Sequence, residues 1–224
     1  MTIVVGFRCS DGIVLGADRQ ITATGAFKYH EPKYRIENFD TFTAVFAYAG
    51  LPGMAQEIHD KISAGLVGIG PDRAGVESVR QVTENVLSEM GRLYTDLQVQ
   101  MLIGVTSWQG GTDLLKFDGK AVHVARDFEY LGFGDSSLIR FLADSLYTKH
   151  LTVSTGMDLA IYLVKKAEDY IDGCGGPIDV ISLEPVDRSC KRLAQHYIQD
   201  RLRKMEGQEK LLLDLLIRKP FSST

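Results

Sequence analysis

The chain has little cysteine: three residues in 224, at Cys9, Cys174 and Cys190, with no C-x-x-C spacing. That count argues against a disulfide framework or a thiolate zinc site, and a reducing compartment is expected. The five histidines, His30, His59, His123, His150 and His196, are scattered without a pair at metal-ligand spacing, so each is read as a surface or capping group and no metal is expected. The chain also lacks charge of one sign. The net charge is −4 and no Lys/Arg cluster dominates, which argues against nucleic acid as a partner. Long hydrophobic runs are missing too, and nothing approaches the roughly 20 apolar residues of a membrane span. At the N-terminus Ile3–Phe7 meets Arg8 at once, too short a run and without the basic leader of a signal peptide. There is no internal repeat, low-complexity tract or Ser/Pro-rich linker. What is present is a 45% hydrophobic chain, enough for one sizeable core. The expectation is a soluble, cytoplasmic protein.

The hydrophobic period changes along the chain in blocks. Ile3–Arg8 and Ile13–Asp18 read as two strands joined through Ser10-Asp11-Gly12. Residues 19–33 read as a loop with at most a short strand, and Thr41–Ala49 as a further strand. Helical spacing then runs from Met54 to Leu66 and again through Val76, Val79, Val86, Met90 and Leu93. Strands return at Val99–Trp108, Thr112–Phe117 and Tyr130–Phe133, with a hairpin signal at Gln109-Gly110-Gly111. Two helices are expected at about 136–149 and 155–172, a strand at Pro177–Leu183, and helix from about 187 onward. Strands grouped apart from helices predict a layered α+β fold with antiparallel sheets, helix–sheet–sheet–helix.

Chemistry enters at Thr2. A threonine hydroxyl is a weak nucleophile without a base, but an N-terminal threonine carries its own, since a free α-amine has a pKa of about 7.7–8.0. Removal of Met1 would place hydroxyl and amine on one residue. A turn centred on Asp11-Gly12 sets Asp18 opposite Val4 or Val5, near the start of the first strand. Lys33, after Pro32, is a candidate ion-pair partner for Asp18 whose positive charge would lower neighbouring pKa values. A cysteine nucleophile is disfavoured, because no histidine lies near any cysteine in sequence.

The segments TIVVGFRCSDGIVLGADRQITATG, EPKYRI, FAYAG, YLGFGDSSL, LTVSTGMDLAIYLVKKA and CGGPIDVISL follow one another in collinear order over roughly residues 2–184. In that order they resemble the β-type proteasome subunits and the related HslV-type ring peptidases, N-terminal-nucleophile hydrolases. The resemblance implies Thr2 as nucleophile, Asp18 and Lys33 as its charged neighbours, and Gly50 as the backbone N–H that stabilises the oxyanion. It implies that Tyr48 floors the side-chain pocket, narrowing it in favour of small side chains. Loss of methionine alone resembles the HslV-type pattern. No cofactor is implied. The partners implied are copies of the chain in stacked rings, unfolded polypeptide as substrate, and an ATP-dependent unfoldase. Residues 1–184 are expected to form the hydrolase domain, and 185–224 a C-terminal helical extension packed on that domain or on a neighbour.

Three positions depart from the family pattern. Phe133 stands where the family has the serine of its G-S-G segment, and Cys174 where it has the serine before paired glycines. The acidic residue expected near Ile171 is matched by Asp172 after a one-residue shift. These are the supporting positions that orient the amine and its water, and neither Phe133 nor Cys174 replaces a serine hydroxyl in hydrogen bonding. Two rival readings follow: a non-catalytic ring subunit of the same fold, and an N-terminal-nucleophile amidase acting on small molecules.

Overall fold

The first two strands, β1 (Ile3–Cys9) and β2 (Gly12–Asp18), are almost wholly buried along their length. Successive side chains point to opposite faces. Val4, Ile13, Leu15 and Ala17 therefore enter one apolar cluster, while Ile3, Val5, Phe7 and Val14 enter another. A hairpin covered on both faces needs apolar residues at every step, which is why this stretch shows no polar alternation.

A computed structural model describes residues 2–22, 27–70, 75–107, 111–118, 121–132, 137–185 and 189–217. After the hairpin come β3 (Gln20–Thr22), β4 (Lys28–His30), β5 (Tyr34–Asn38) and β6 (Phe42–Gly50), then α1 (Pro52–Leu66) and α2 (Val76–Leu93). A second group of strands follows: β7 (Val99–Ser107), β8 (Thr112–Phe117), β9 (Val122–Val124) and β10 (Phe128–Gly132). The chain then forms α3 (Ser137–Leu146), α4 (Val153–Tyr170), β11 (Ile178–Glu184), β12 (Ser189–Arg192) and α5 (Gln195–Ile217). One antiparallel sheet has the order β10-β1-β2-β11-β12 and the other β5-β6-β7-β8-β9, with β3 and β4 as a separate ribbon.

Three buried clusters correspond to three layer boundaries. The first lies between α1, α2 and the second sheet, with Phe46, Ile58, Met90 and Ile103. The second separates the two sheets, with Val4, Leu15, Val45, Leu102 and Leu114. The third lies between the first sheet and the α3–α5 face, with Val5, Ile139, Ala160, Val164 and Ile198. This is the expected helix–sheet–sheet–helix sandwich.

Several local expectations change. The hairpin register pairs Val4 with Ala17 and Cys9 with Gly12, so the turn is Ser10-Asp11 and sits one residue earlier than the Asp-Gly signal suggests. Gly12 belongs to the strand because a Cβ there would lie 2.3 Å from the Leu183 carbonyl oxygen on β11. Residues 19–33 hold two paired strands, with Ile21 opposite Tyr29. The segment after 185 is not all helix. Ser189–Arg192 adds to the open edge of β11, where sheet hydrogen bonds outweigh any helical tendency, and Cys190 lies in that strand and not at a helix start. Gln109 and Gly110 of the expected hairpin signal lie outside the described residues, as does Trp108.

The hairpin is pinned at its turn. Asp11 Oδ1 accepts a hydrogen bond of 2.7 Å from Val153 N at the start of α4, and Ser10 N donates to the Leu151 carbonyl at 2.8 Å. A carboxylate at a helix N-terminus satisfies an otherwise unpaired N–H and meets the positive end of the dipole.

Candidate active site

At the opposite end of the hairpin, β1 begins beside Asp18. The Asp18 carboxylate is 1% exposed and is surrounded by donors. Its Oδ1 accepts from Ile3 N at 2.9 Å and from Lys33 Nζ at 2.8 Å. Its Oδ2 accepts from Gln20 N at 3.1 Å and Gly175 N at 3.2 Å. A carboxylate taken out of water needs its lone pairs satisfied, and these four donors do so.

Lys33 is equally buried, at 1% exposure. Besides Asp18 it donates to the Gln20 carbonyl oxygen at 2.6 Å. Burial pushes its pKa down, while the charge and hydrogen bond of Asp18 pull it back up, and the net direction is down. An ammonium has three N–H donors, and these two bonds account for two of them. Because Lys33 Nζ and Ile3 N share one carboxylate oxygen, the ammonium lies within two hydrogen-bond lengths of the amide that follows Thr2.

Thr2 itself is half-buried, immediately before β1. Gly132 at the end of β10 faces it. A Cβ on Gly132 would stand 2.5 Å from the Thr2 carbonyl oxygen. Gly132 N donates to Gln100 Oε1 at 3.1 Å, tying this edge to the second sheet.

Cys174 is buried beside the pair and feels both charges. Its pKa is pushed up to about 11, first by burial and then by Asp18, with Lys33 opposing. It is a neutral thiol near neutral pH, unsuited to act as nucleophile or metal ligand.

Gly50 ends β6 with φ +116°, and a Cβ there would lie 2.1 Å from the Gln98 carbonyl oxygen. Backbone conformation and close approach each require glycine at this position. Tyr48, two residues earlier, is buried in the cluster under α1, and its backbone N–H donates to the Lys33 carbonyl at 3.0 Å. Burial, followed by the charge of Glu31, pushes its phenol up to about 12.

Of the residues singled out in the sequence, the structure brings Asp18, Lys33 and Cys174 together next to Thr2. The register places Asp18 beside Ile3, one or two steps closer to Thr2 than the Val4 or Val5 that the Asp-Gly turn implies. Asp172 is exposed in the turn after α4, and its carboxylate takes no part in the bonds around Asp18. Phe133 lies outside the described residues. Gln20, Gly175, Gly132 and Gln100 were missed. The first three act through backbone groups, which no residue-type pattern reveals. Gln100 had no local signal. Among the described residues no group of three or more His, Cys, Asp or Glu could hold a metal ion. No helix of the described residues is long and apolar enough to cross a membrane.

The model of the proteasome subunit family matches residues 2–182. The chain is 26% identical over 207 residues to the proteasome subunit beta of Thermoplasma acidophilum, covering 91% of this chain and 94% of that protein. It is 28% identical over 182 residues to the proteasome subunit beta of Methanococcoides burtonii, covering 80% and 85%. Among solved structures, Anbu (ancestral beta-subunit) from Yersinia bercovieri superposes with a TM-score of 0.81 at 16% identity, covering 100% of this chain and 99% of that one. A helical assembly of the Anbu complex from Pseudomonas aeruginosa gives a TM-score of 0.74 at 18% identity, with coverage of 100% and 99%. A sandwich of two antiparallel sheets between helices, with a lysine–aspartate pair buried at the start of the first strand and a family match spanning most of the residues, leads to one statement: this chain belongs to the proteasome subunit family.

Proposed function

We propose that the protein is a threonine-type endopeptidase whose nucleophile, Thr2, is exposed by removal of Met1. One observation carries the reading. The carboxylate that receives Lys33 also receives the backbone N–H next to Thr2. The third ammonium proton of Lys33 is available to the Thr2 hydroxyl and stabilises the developing alkoxide. Thr2 Oγ attacks a peptide carbonyl while the free α-amine of Thr2 takes the hydroxyl proton through a water. The Gly50 N–H holds the oxyanion. The amine returns the proton to the leaving nitrogen, the C–N bond breaks, and an ester joins the acyl group to Thr2. Water, deprotonated by the same amine, then hydrolyses the ester. Tyr48 shapes the side-chain pocket. Cys174, and Phe133 and Asp172 at the other two departing positions, take the supporting places.

In the same reading the hydrolase unit is residues 1–184, and the remainder is an extension packed on it through β12 and Ile198. Copies assemble into stacked rings that admit unfolded polypeptide in the cytoplasm, fed by an ATP-dependent unfoldase. The helical assembly described for one Anbu structure supports self-association. A second reading, a non-catalytic subunit, draws on Cys174, a weakly hydrogen-bonding thiol where the family has a hydroxyl. Purified protein whose intact mass shows loss of Met1, incubated with unfolded casein and fluorogenic peptides beside Thr2→Ala, separates the two. The peptidase cleaves and the variant does not. Equal rates from both proteins would reject Thr2 as nucleophile.

A further inference from the structure

A second charge cluster adjoins the Asp18–Lys33 pair; its carboxylate is buried, while the Arg19 and Arg192 side chains that reach it are 18% and 42% exposed. Asp179 on β11 is 1% exposed and holds two guanidinium groups. Arg19 binds it through both oxygens, Nε to Oδ2 at 2.7 Å and Nη2 to Oδ1 at 2.6 Å. Arg192 on β12 binds Oδ1 alone, through Nε at 3.1 Å and Nη2 at 2.9 Å. The Arg192 guanidinium also stands over the Tyr34 ring, 5.7 Å from its centroid.

The chain neighbours of these residues give the cluster its meaning. Arg19 follows Asp18, and Tyr34 follows Lys33. Consecutive side chains in extended backbone leave on opposite sides. The two segments that send Asp18 and Lys33 into the site therefore send Arg19 and Tyr34 to its rear, where both meet around Asp179 and Arg192. Asp179 pairs with Ala17 in the β2–β11 ladder, and Arg192 pairs with Ile181 in the β11–β12 ladder. Asp179 is thus tied to three segments at once. Arg192 alone of the four lies beyond residues 2–182, the span that the family model matches.

We propose that Arg192 is a positioning residue for the Asp18–Lys33 pair, acting through Asp179, Arg19 and Tyr34, so that strand β12 forms part of the scaffold of the site. The proposal rests on the peptidase reading of Thr2 for its kinetic consequence, but its mechanical content does not. With Arg192 gone, Asp179 loses one of two guanidiniums and Tyr34 loses the cation over its ring. The segments carrying Asp18 and Lys33 are then braced on one side only, and a small misplacement of reacting groups lowers turnover more than binding.

The test uses the full chain and three variants. Arg192→Ala should lower kcat on a fluorogenic peptide about tenfold and leave KM within about twofold. Arg192→Lys should recover most of that loss, because Arg192 reaches a single oxygen and a point charge can replace it. Arg201→Ala, which breaks the 3.2 Å Arg201–Asp158 pair of α5 with α4, should leave kcat within about twofold. The proposal is overturned if Arg192→Ala keeps its kcat, if Arg192→Lys recovers nothing, or if Arg201→Ala loses as much.

Melting temperatures supply a readout independent of activity, measured for Arg192→Ala in the parent and in Lys33→Met. A smaller shift in the Lys33→Met background shows that Arg192 and Lys33 are coupled, and equal shifts overturn the proposal. If the parent protein proves inactive, the peptidase reading fails while this comparison still decides the positioning role.

Discussion

Asp18 and Lys33 are equally buried, yet their removal should not cost the same. Without Lys33 the carboxylate keeps three backbone donors, Ile3 N, Gln20 N and Gly175 N. Without Asp18 the ammonium keeps the Gln20 carbonyl oxygen. Stranding a buried charge costs about 3–5 kcal/mol. Asp18→Asn should sit in that range, because asparagine offers one accepting oxygen for four donors and turns an amide toward the rest. Lys33→Met should cost less, about 1–3 kcal/mol, since each hydrogen bond to a charged group contributes on that order. The double variant should regain about 2 kcal/mol relative to Asp18→Asn, because neither charge then remains. For a chain of this length each kcal/mol moves the midpoint by about 2–4 °C, so Asp18→Asn should melt roughly 6–20 °C lower.

A pH series adds a sign. Burial lowers the Lys33 pKa, and Asp18 is the main influence raising it. In Asp18→Asn the folded-state pKa falls further below the unfolded one, so the buried ammonium weakens the fold at low pH. That loss is relieved as pH rises through the folded pKa, and the variant should gain on the parent as pH approaches the unfolded lysine value of about 10.4. Urea unfolding at matched protein concentration measures all four proteins. A Lys33→Met cost equal to or above that of Asp18→Asn, or strict additivity of the two, would show that the hydrogen-bond asymmetry does not govern this site.

The cysteines and Gly50 give two further expectations. Burial pushes Cys9 up to about 12 and Cys174 and Cys190 up to about 11, so all three should resist a thiol reagent at neutral pH and react together once urea unfolds the chain. Since the folded state holds these protons longer than the unfolded one, stability should fall as pH climbs from about 9 towards 11, and a rise would contradict the assignment. Gly50→Ala meets both a positive φ and the Gln98 carbonyl oxygen, and should cost at least about 2 kcal/mol and abolish cleavage. Unchanged melting and turnover would show that this strand end relaxes freely.

The four-layer arrangement was legible because its signals are periodic. Residues 54–66 and 76–93 repeat at helical spacing, and the short apolar stretches at 3–7, 13–17 and 101–105 read as strands. The Asp18–Lys33 pair was legible because a hairpin fixes one partner and a loop ending fixes the other. The turn sits one residue earlier than expected because Gly12 serves a close approach to β11, while an Asp-Gly pair is ordinarily a turn signal. Strand β12 was hidden because a four-residue segment carries no period of its own and is held by the edge it meets. The shell around Asp18 was hidden for a different reason. Three of its donors are backbone N–H groups, which every residue except proline possesses.

Two bonds of the hairpin also constrain the timing of synthesis. Asp11 waits for Val153, 142 residues away, and Asp18 waits for Gly175, 157 residues away. A nascent chain emerging from the ribosome thus makes its first strand early and can enclose it only near the end. Fragments released early carry Thr2 without its finished charge shell. If Thr2 acts as proposed, truncated translation products should not cleave peptides.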